Sequence, residues 1–410
     1  VRRGRGWDAP VTGGGDGPLR GVRVLDLGHT VMGPTAGLVL ADLGAEVIHV
    51  EPPAGDRTRR LEGFGRGFFA YYNRNKKSLA VDLKTGAGRT LFLQLIDGAD
   101  VLLENFAAGT MERLGLGWPT LHARNPRLIY LALKGFLRGP FEDRAALDEV
   151  AQMMGGLAYM TGPPGRPMRA GASVVDNLGG VFGALGVVTA LRERDRTGAG
   201  QLVRSALFES VAFLMGQFMA YAALVGRPVP PMSVRHQAWA IYEVFDTEDG
   251  QAVFLGITSD RHWDAFCRAF ARPDLAADAS LATNNQRVAA RERLRPIVAA
   301  ILAARPAAEI ERLAVDHDLP FAPVAKPEDL FDHPHLAAGG HLFDTRLEPG
   351  VDAPLPALPL EIGGWAAAKY GDPPAVGAHT RELLTALGYA ADEITTLLER
   401  GVVRAGDADG

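Results

Sequence analysis

Cysteine is nearly absent: Cys267 stands alone in 410 residues. One thiol cannot build an internal disulfide framework or a multi-thiolate metal site, and the expectation is a reducing, cytoplasmic setting. Charge of one sign is scarce too. Lys and Arg total 43 against 48 Asp and Glu, a formal net charge of −5, which gives neither nucleic acid nor an anionic membrane a general attraction. Long apolar runs are also lacking. The longest apolar region, residues 211–225, is interrupted by Gln217 and falls short of the roughly 20 residues a bilayer crossing needs, so it reads as a buried core helix. Residues 1–18 carry Arg2, Arg3 and Arg5, then Gly13-Gly14-Gly15, with nothing like the apolar core of a signal peptide; a disordered tail is expected there.

Several catalytic signatures are missing as well. The chain after its first apolar run reads Gly28-His29-Thr30-Val31-Met32-Gly33, not the Gly-x-Gly-x-x-Gly that lets a pyrophosphate approach the backbone, so a nicotinamide enzyme is not indicated. Gly86-Ala87-Gly88-Arg89-Thr90 has no Lys before its Thr, and no Gly-x-Ser-x-Gly occurs, which removes the Walker loop and the serine-hydrolase elbow. Asp332-His333-Pro334-His335 has metal-ligand types but sits in a Pro-broken stretch without a third ligand at helical spacing, and reads as a loop rather than a metal site.

What is present alternates. Residues 22–27, 45–50, 78–83, 100–103 and 127–133 read as strands, separated by helical patterns at 34–43, 86–96 and 118–123. That order predicts an α/β fold with a Rossmann-like open, mostly parallel sheet, which binds ligands outside the carboxyl ends of its strands. The segments of interest are therefore 28–33, 51–60, 104–113 and 134 onward.

A second signal lies at residues 171–194. Asp176-Asn177 precedes a helical pattern that carries Gly179, Gly180, Gly183 and Gly186. Each interior glycine costs a helix about 1 kcal/mol relative to alanine, so a thin ligand or a second helix is expected against the face they share. Asp176 suits an N-cap, which needs a carboxylate to accept orphan N–H groups. It equally suits a carboxylate nucleophile, whose ionised form a helix N-terminus favours. The two readings are compatible.

From about residue 19 to 403 the chain resembles the class III CoA-transferases, the family of formyl-CoA transferase. Leu19-Arg20-Gly21-Val22-Arg23-Val24-Leu25-Asp26 with Gly33-Pro34 resembles the opening strand and turn, and Ala41-Asp42-Leu43-Gly44-Ala45-Glu46-Val47-Ile48 with Glu51-Pro52 and Gly55-Asp56 the second unit. Asn73-Arg74-Asn75-Lys76-Lys77-Ser78, Glu104-Asn105-Phe106-Ala107-Ala108-Gly109 and Arg113-Leu114-Gly115 follow in order. Leu319-Pro320, Ala322-Pro323-Val324, Pro327-Glu328-Asp329-Leu330, Asp332-His333-Pro334 and Gly377-Ala378-His379-Thr380 resemble the C-terminal signature.

The resemblance implies that Asp176 is a nucleophile forming a mixed anhydride and then an aspartyl-CoA thioester, with acyl-CoA and a small carboxylic acid as substrates and no permanently bound cofactor. It implies that His29, Thr30, Val31, Val81, Asn105, Phe106, Arg113 and Lys134 border coenzyme A, with Arg113 and Lys134 as cations suited to its phosphates. Backbone N–H groups near Gly179 and Gly180 are candidates for holding oxyanions. Pro52 and Val31 replace an Arg and a Gln of formyl-CoA transferase, and its glycine-rich lid is missing, which argues against formyl-CoA and oxalate as substrates. In place of the lid stands Val234-Arg235-His236-Gln237-Ala238-Trp239-Ala240, where Arg235 and His236 are either acceptor contacts or ordinary polar surface. Residues 134–160 and 171–173 look most like relatives that move CoA among dicarboxylates, with succinyl-CoA as donor.

Racemases of 2-methylacyl-CoA share the family and use a His from a Gly-His-Asp run. Here the run is Ala146-Leu147-Asp148, and leucine has no proton to exchange, so the transferase reading gains. Asp148 itself is either a helix-start carboxylate or a substrate contact. A non-catalytic acyl-CoA-binding protein is the remaining alternative. The expected organisation is a tail over 1–18, a large CoA-binding domain over 19–227, a smaller α+β domain over 228–330, a return to the large domain over 331–403 and a tail over 404–410. The resemblance implies an interlocked-ring homodimer.

Overall fold

The computed structural model describes residues 14–234 and 238–406. Their contacts divide into two units, one holding the described residues up to Ser233 and from Pro334 onward, the other Val234–His333. In the first, strands β1 (Arg23–Leu27), β2 (Glu46–Glu51), β3 (Lys76–Val81), β4 (Val101–Glu104), β5 (Ile129–Lys134) and β6 (Leu202–Ala206) form a sheet with a terminal strand, Val403–Arg404. The helices along this part are α1 (Met32–Asp42), α2 (Gly67–Tyr72), α3 (Gly86–Asp97), α4 (Thr110–Arg113), α5 (Trp118–Arg124), α6 (Asp148–Met154), α7 (Leu157–Thr161), α8 (Val174–Thr197) and α9 (Leu207–Val225).

The strand order is Val403–Arg404, β3, β2, β1, β4, β5, β6. Every pairing among β1–β6 is parallel, and only Val403–Arg404 runs antiparallel, against β3. Parallel strands demand cover on both faces, which is why they read as continuous apolar runs. Val24, Val47, Val101 and Leu131 pack with Leu40, Ala184 and Val187 on one face, and Leu25, Ile48, Leu79 and Leu102 pack with Leu91, Leu95 and Leu383 on the other. Each such side chain contributes about 1.5–3 kcal/mol by leaving water. The mixed α/β class with a parallel-dominated sheet is as the sequence implies. The chain leaves β1 toward β2 on one side and returns to β4 on the other, so the switch point lies at the carboxyl ends of β1 and β4.

α8 explains its glycines. A β-carbon on Gly180 would stand 2.7 Å from the Met32 carbonyl oxygen, and Gly179 is pressed against the Met32 side chain. Gly183 meets Leu131 and Leu133, and Gly186 meets Val203. A second helix and the sheet, rather than a ligand, occupy the glycine face. The N–H groups of Gly179 and Gly180 lie inside the helix, beyond its four orphan donors, so the expected oxyanion role for them is not supported.

α9 also departs from expectation. The apolar stretch begins four residues earlier than the sequence pattern suggested, and the 19-residue helix buries only Leu207, Ser210, Val211 and Met215. Phe213 is 70% and Leu224 88% exposed. It is not a buried core helix: hydropathy reports that a surface avoids water, not which body covers it. By length and composition alone, α8 and α9 are long and apolar enough to cross a membrane. Residues 14–18, expected in a tail, lie against the corner between α1 and β2, where Trp365 Nε1 donates to the Asp16 carbonyl at 2.8 Å and Leu19 N donates to Leu43 O at 2.9 Å.

The second unit, described by itself, is α+β. Strands β7 (Ile241–Asp246), β8 (Ala252–Ile257) and β9 (Phe321–Pro323) make an antiparallel sheet. Helices Asp260–Ala269, Arg291–Ala303 and Ala307–Asp316 close a core of Phe245, Leu255, Trp263, Phe266, Leu294 and Ile310.

Candidate active site

The loops leaving β1 and β4 at the switch point are locked to each other. The Asn105 side chain accepts the His29 N–H and donates to the His29 carbonyl, both at 2.9 Å, and the His29 ring meets Phe106 edge-on at 5.7 Å. The next residue, Thr30, has φ +66°, a left-handed conformation that costs a β-branched residue about 1–3 kcal/mol and persists only where its surroundings over-determine it. Beneath this loop Lys76 Nζ lies 2.8 Å from Asp26 Oδ2 and also donates to the Pro34 carbonyl and Asn73 Oδ1, both at 3.0 Å. Asp26 Oδ1 in turn accepts the Gly28 N–H at 2.7 Å. Burial pulls the Lys76 ammonium below its ordinary range, and Asp26 opposes the shift.

The structure separates the residues expected around coenzyme A. His29, Thr30, Asn105 and Phe106 are together at the switch point. Val31 is 1% exposed, packed with Leu38 and Tyr72, and its carbonyl accepts from Thr35, so it does not border the loop surface. Val81 is 2% exposed and its side chain lies in the core beside Val403; it does not line an open surface. Lys134 is committed: its Nζ holds Glu104 Oε1 at 2.7 Å, Oε2 at 2.8 Å and the Phe106 carbonyl at 2.9 Å. Burial raises the Glu104 carboxyl and Lys134 opposes it, so the lysine neutralises a buried acid on the floor of a cavity of about 250 Å³. Arg113 remains exposed, its Nη2 on Thr110 Oγ1 at 2.8 Å. Arg235 and His236 lie outside the described residues.

Asp176 is the third residue of α8, not its cap; Ser173 holds the cap position and makes no side-chain capping bond. The capping carboxylate arrives from elsewhere. Asp148 Oδ2 accepts the Val175 N–H at 2.9 Å and the Asp176 N–H at 3.0 Å, satisfying two orphan donors of the first turn. Asp148 also takes a hydrogen bond from Gln152 Nε2, and Gln152 Oε1 accepts the Ala170 N–H at 2.8 Å. Both residues are buried. Asp148 is thus the first residue of α6 and the cap of α8.

The Asp176 side chain is half-buried, and no hydrogen bond to its carboxylate is present among the described residues. Burial is the main cause that lifts its pKa to about 7; the Asp148 charge adds to the rise and Arg169 counters it. Next to it, Asn177 Oδ1 accepts from the Tyr72 hydroxyl at 3.0 Å and lies 3.2 Å from Thr35 Oγ1. Burial is the main cause that raises Tyr72 to about 12, and the Asp176 charge adds to the rise. A half-buried carboxylate without donors, beside a like charge and titrating near neutrality, is what a nucleophile or a proton-transfer group requires. Tyr72, Gln152 and Arg169 were not anticipated: Gln152 braces Asp148, Tyr72 reaches the neighbouring Asn177 and Arg169 acts on Asp176 through its charge, none of which a local pattern encodes.

The profile of CoA-transferase family III matches residues 19–380. Succinyl-CoA–D-citramalate CoA-transferase of Chloroflexus aurantiacus is 34% identical, over 94% of this chain and 98% of that protein. Succinyl-CoA:mesaconate CoA-transferase of Haloarcula hispanica is 35% identical, over 91% of this chain and 97% of that protein. Among solved structures, a CAIB/BAIF family protein from Brucella suis superposes with a TM-score of 0.81 at 30% identity, covering 91% of this chain and 100% of that one.

Proposed function

The chain belongs to CoA-transferase family III, and from that premise we propose that it moves coenzyme A from an acyl-CoA donor, succinyl-CoA foremost, to a carboxylic or dicarboxylic acid through Asp176. The observation that carries this reading is the Asp176 carboxylate itself, half-buried, without a hydrogen-bond donor among the described residues and titrating near 7. The similarity to transferases whose names specify succinyl-CoA with citramalate and mesaconate supports the donor and the acceptor class.

The chemistry balances without a co-reactant. Ionised Asp176 attacks the thioester carbonyl and expels the CoA thiolate, leaving a mixed anhydride. The thiolate attacks the aspartyl carbonyl and releases the donor acid, leaving an aspartyl thioester. The acceptor carboxylate displaces the thiolate to form a second anhydride, and the thiolate takes the acceptor's acyl group and frees Asp176. In this reading CoA crosses the switch point beside His29, Thr30, Asn105 and Phe106, with Arg113 facing its phosphates and buried Val31 outside the contact. Val81 and the committed Lys134 are left out of it.

The second copy of an interlocked homodimer is the body proposed to cover α9. Met219 and Leu224 on α9, with Val181 and Leu185 on α8, are 46–88% exposed, and Phe182 and Phe213 join the two helices at 5.3 Å; clustered exposed apolar residues of this kind mark an interaction surface. Light scattering is expected to give twice the 43.7 kDa chain mass; a monomer would refute the pairing. The transfer itself is tested by incubating the protein with succinyl-CoA and a panel of acids. Formation of an acceptor-CoA ester with stoichiometric succinate is expected, and hydrolysis alone or no reaction with every acid would refute it.

A further inference from the structure

An acceptor with two carboxylates brings a second negative charge toward a site that already holds Asp148 and Asp176. Placing that charge there without a partner is costly, so selective use of a dicarboxylic acid requires a cation at a fixed distance from Asp176. Arg169 is the cation that the fold ties to this site. It lies on the segment leading into α8, and that segment is held in register with the nucleophile by one hydrogen-bonded chain: Ala170 N–H to Gln152, Gln152 to Asp148, Asp148 to the Asp176 N–H. Its charge is the positive one that acts on Asp176.

The guanidinium is held but not used up. Nε donates to the Ala170 carbonyl at 2.9 Å and Nη1 to Glu149 Oε1 at 2.6 Å, which fixes its plane. Nη2 makes no hydrogen bond among the described residues. Glu149 is 57% exposed in its side chain, and a rim pair of that kind contributes only about 0–1 kcal/mol, so an incoming carboxylate can share or replace it. Nη2 can therefore donate to an incoming carboxylate, and where Glu149 gives way Nη1 joins it in a bidentate pair.

We propose that Arg169 selects the acceptor: its guanidinium receives the distal carboxylate of a dicarboxylic acid whose other carboxylate reacts at Asp176. This rests on the proposed transfer chemistry. The Arg169 charge also acts on Asp176 directly, an effect common to all acceptors, so the informative quantity is discrimination between acceptors, in which common effects cancel.

The test compares glutarate with its monomethyl ester, which keeps one reacting carboxylate and loses the distal charge, using succinyl-CoA as donor. Wild type is expected to prefer glutarate. Arg169→Gln should cut that preference about 10- to 100-fold, through KM for glutarate, as loss of a charged hydrogen bond implies, and Arg169→Lys should restore part of it. Glu149→Gln, which frees the guanidinium, should move the other way and lower KM for glutarate. Melting temperatures establish that each variant is folded, and should Arg169→Gln not fold, Arg169→Lys and Glu149→Gln decide the matter. Equal preference in wild type, or an unchanged ratio in the variants whatever their rates, would overturn the role of Arg169 and leave the transferase reading standing. Wild type that transfers CoA to neither acid nor to any other would overturn the transferase reading itself.

Discussion

Two aspartates, one in a strand and one in a helix of the first unit, show how differently one residue type can be used. Asp26, at the end of β1, is fully buried and fully answered: Lys76 at 2.8 Å neutralises it and the Gly28 N–H occupies its other oxygen. Asp176, in the first turn of α8, has a like charge for a neighbour and no donor on its carboxylate among the described residues. The first pair shapes the loop that carries the strained Thr30. The second pair leaves a carboxyl that holds its proton more tightly than an ordinary aspartate and exchanges it near neutral pH. Partnering fixes structure and lack of it leaves reactivity, which is the difference that pKa shifts at functional sites record.

That contrast is broken most severely by removing the cation. Lys76→Met strands Asp26 as an uncompensated buried charge, and denaturant unfolding is expected to show a loss of about 3–5 kcal/mol; a loss below about 1 kcal/mol would mean the pair is not the clamp described. A smaller effect sharpens the other half. In the proposed transfer the ionised form of Asp176 attacks, so the donor half-reaction should rise with pH through about 7 in wild type. Asp148→Asn keeps an oxygen for the Val175 and Asp176 N–H groups but removes the like charge, so the pKa falls and the acid limb moves to lower pH, by about one unit. An unmoved limb would assign the raised pKa to burial alone.

The two halves were unequally legible. β1–β5 announced themselves because strands covered on both faces are rich in apolar residues, and charged residues within them, such as Asp26 and Lys76, are paired. β6 did not: Leu202–Ala206 carries Arg204 and Ser205 and sits at the sheet edge, where burial no longer dictates composition. The glycines of α8 signalled close approach correctly, but spacing cannot tell a ligand from Met32 and Val203. α9 has the composition of a core helix yet is largely exposed, because composition records that a surface avoids water and not what covers it.

For the site, Asp176 stood out through the resemblance, and the loop at His29 through its place after β1. The brace of Asp148, Gln152 and Ala170 was invisible, because Asp148 reaches across 27 residues to the Val175 N–H and no local pattern encodes such a bond. Lys134 misled for a related reason. A lysine at a strand end looks available for a phosphate until the fold places Glu104 against it.

The most direct measurement is mass spectrometry of the protein mixed with succinyl-CoA and then hydroxylamine, wild type against Asp176→Ala. The account predicts a hydroxamate on the peptide containing Asp176 in wild type and none in the variant. A wild-type protein that turns over succinyl-CoA and acceptor without any such adduct, or a variant that still transfers CoA at the wild-type rate, would contradict it.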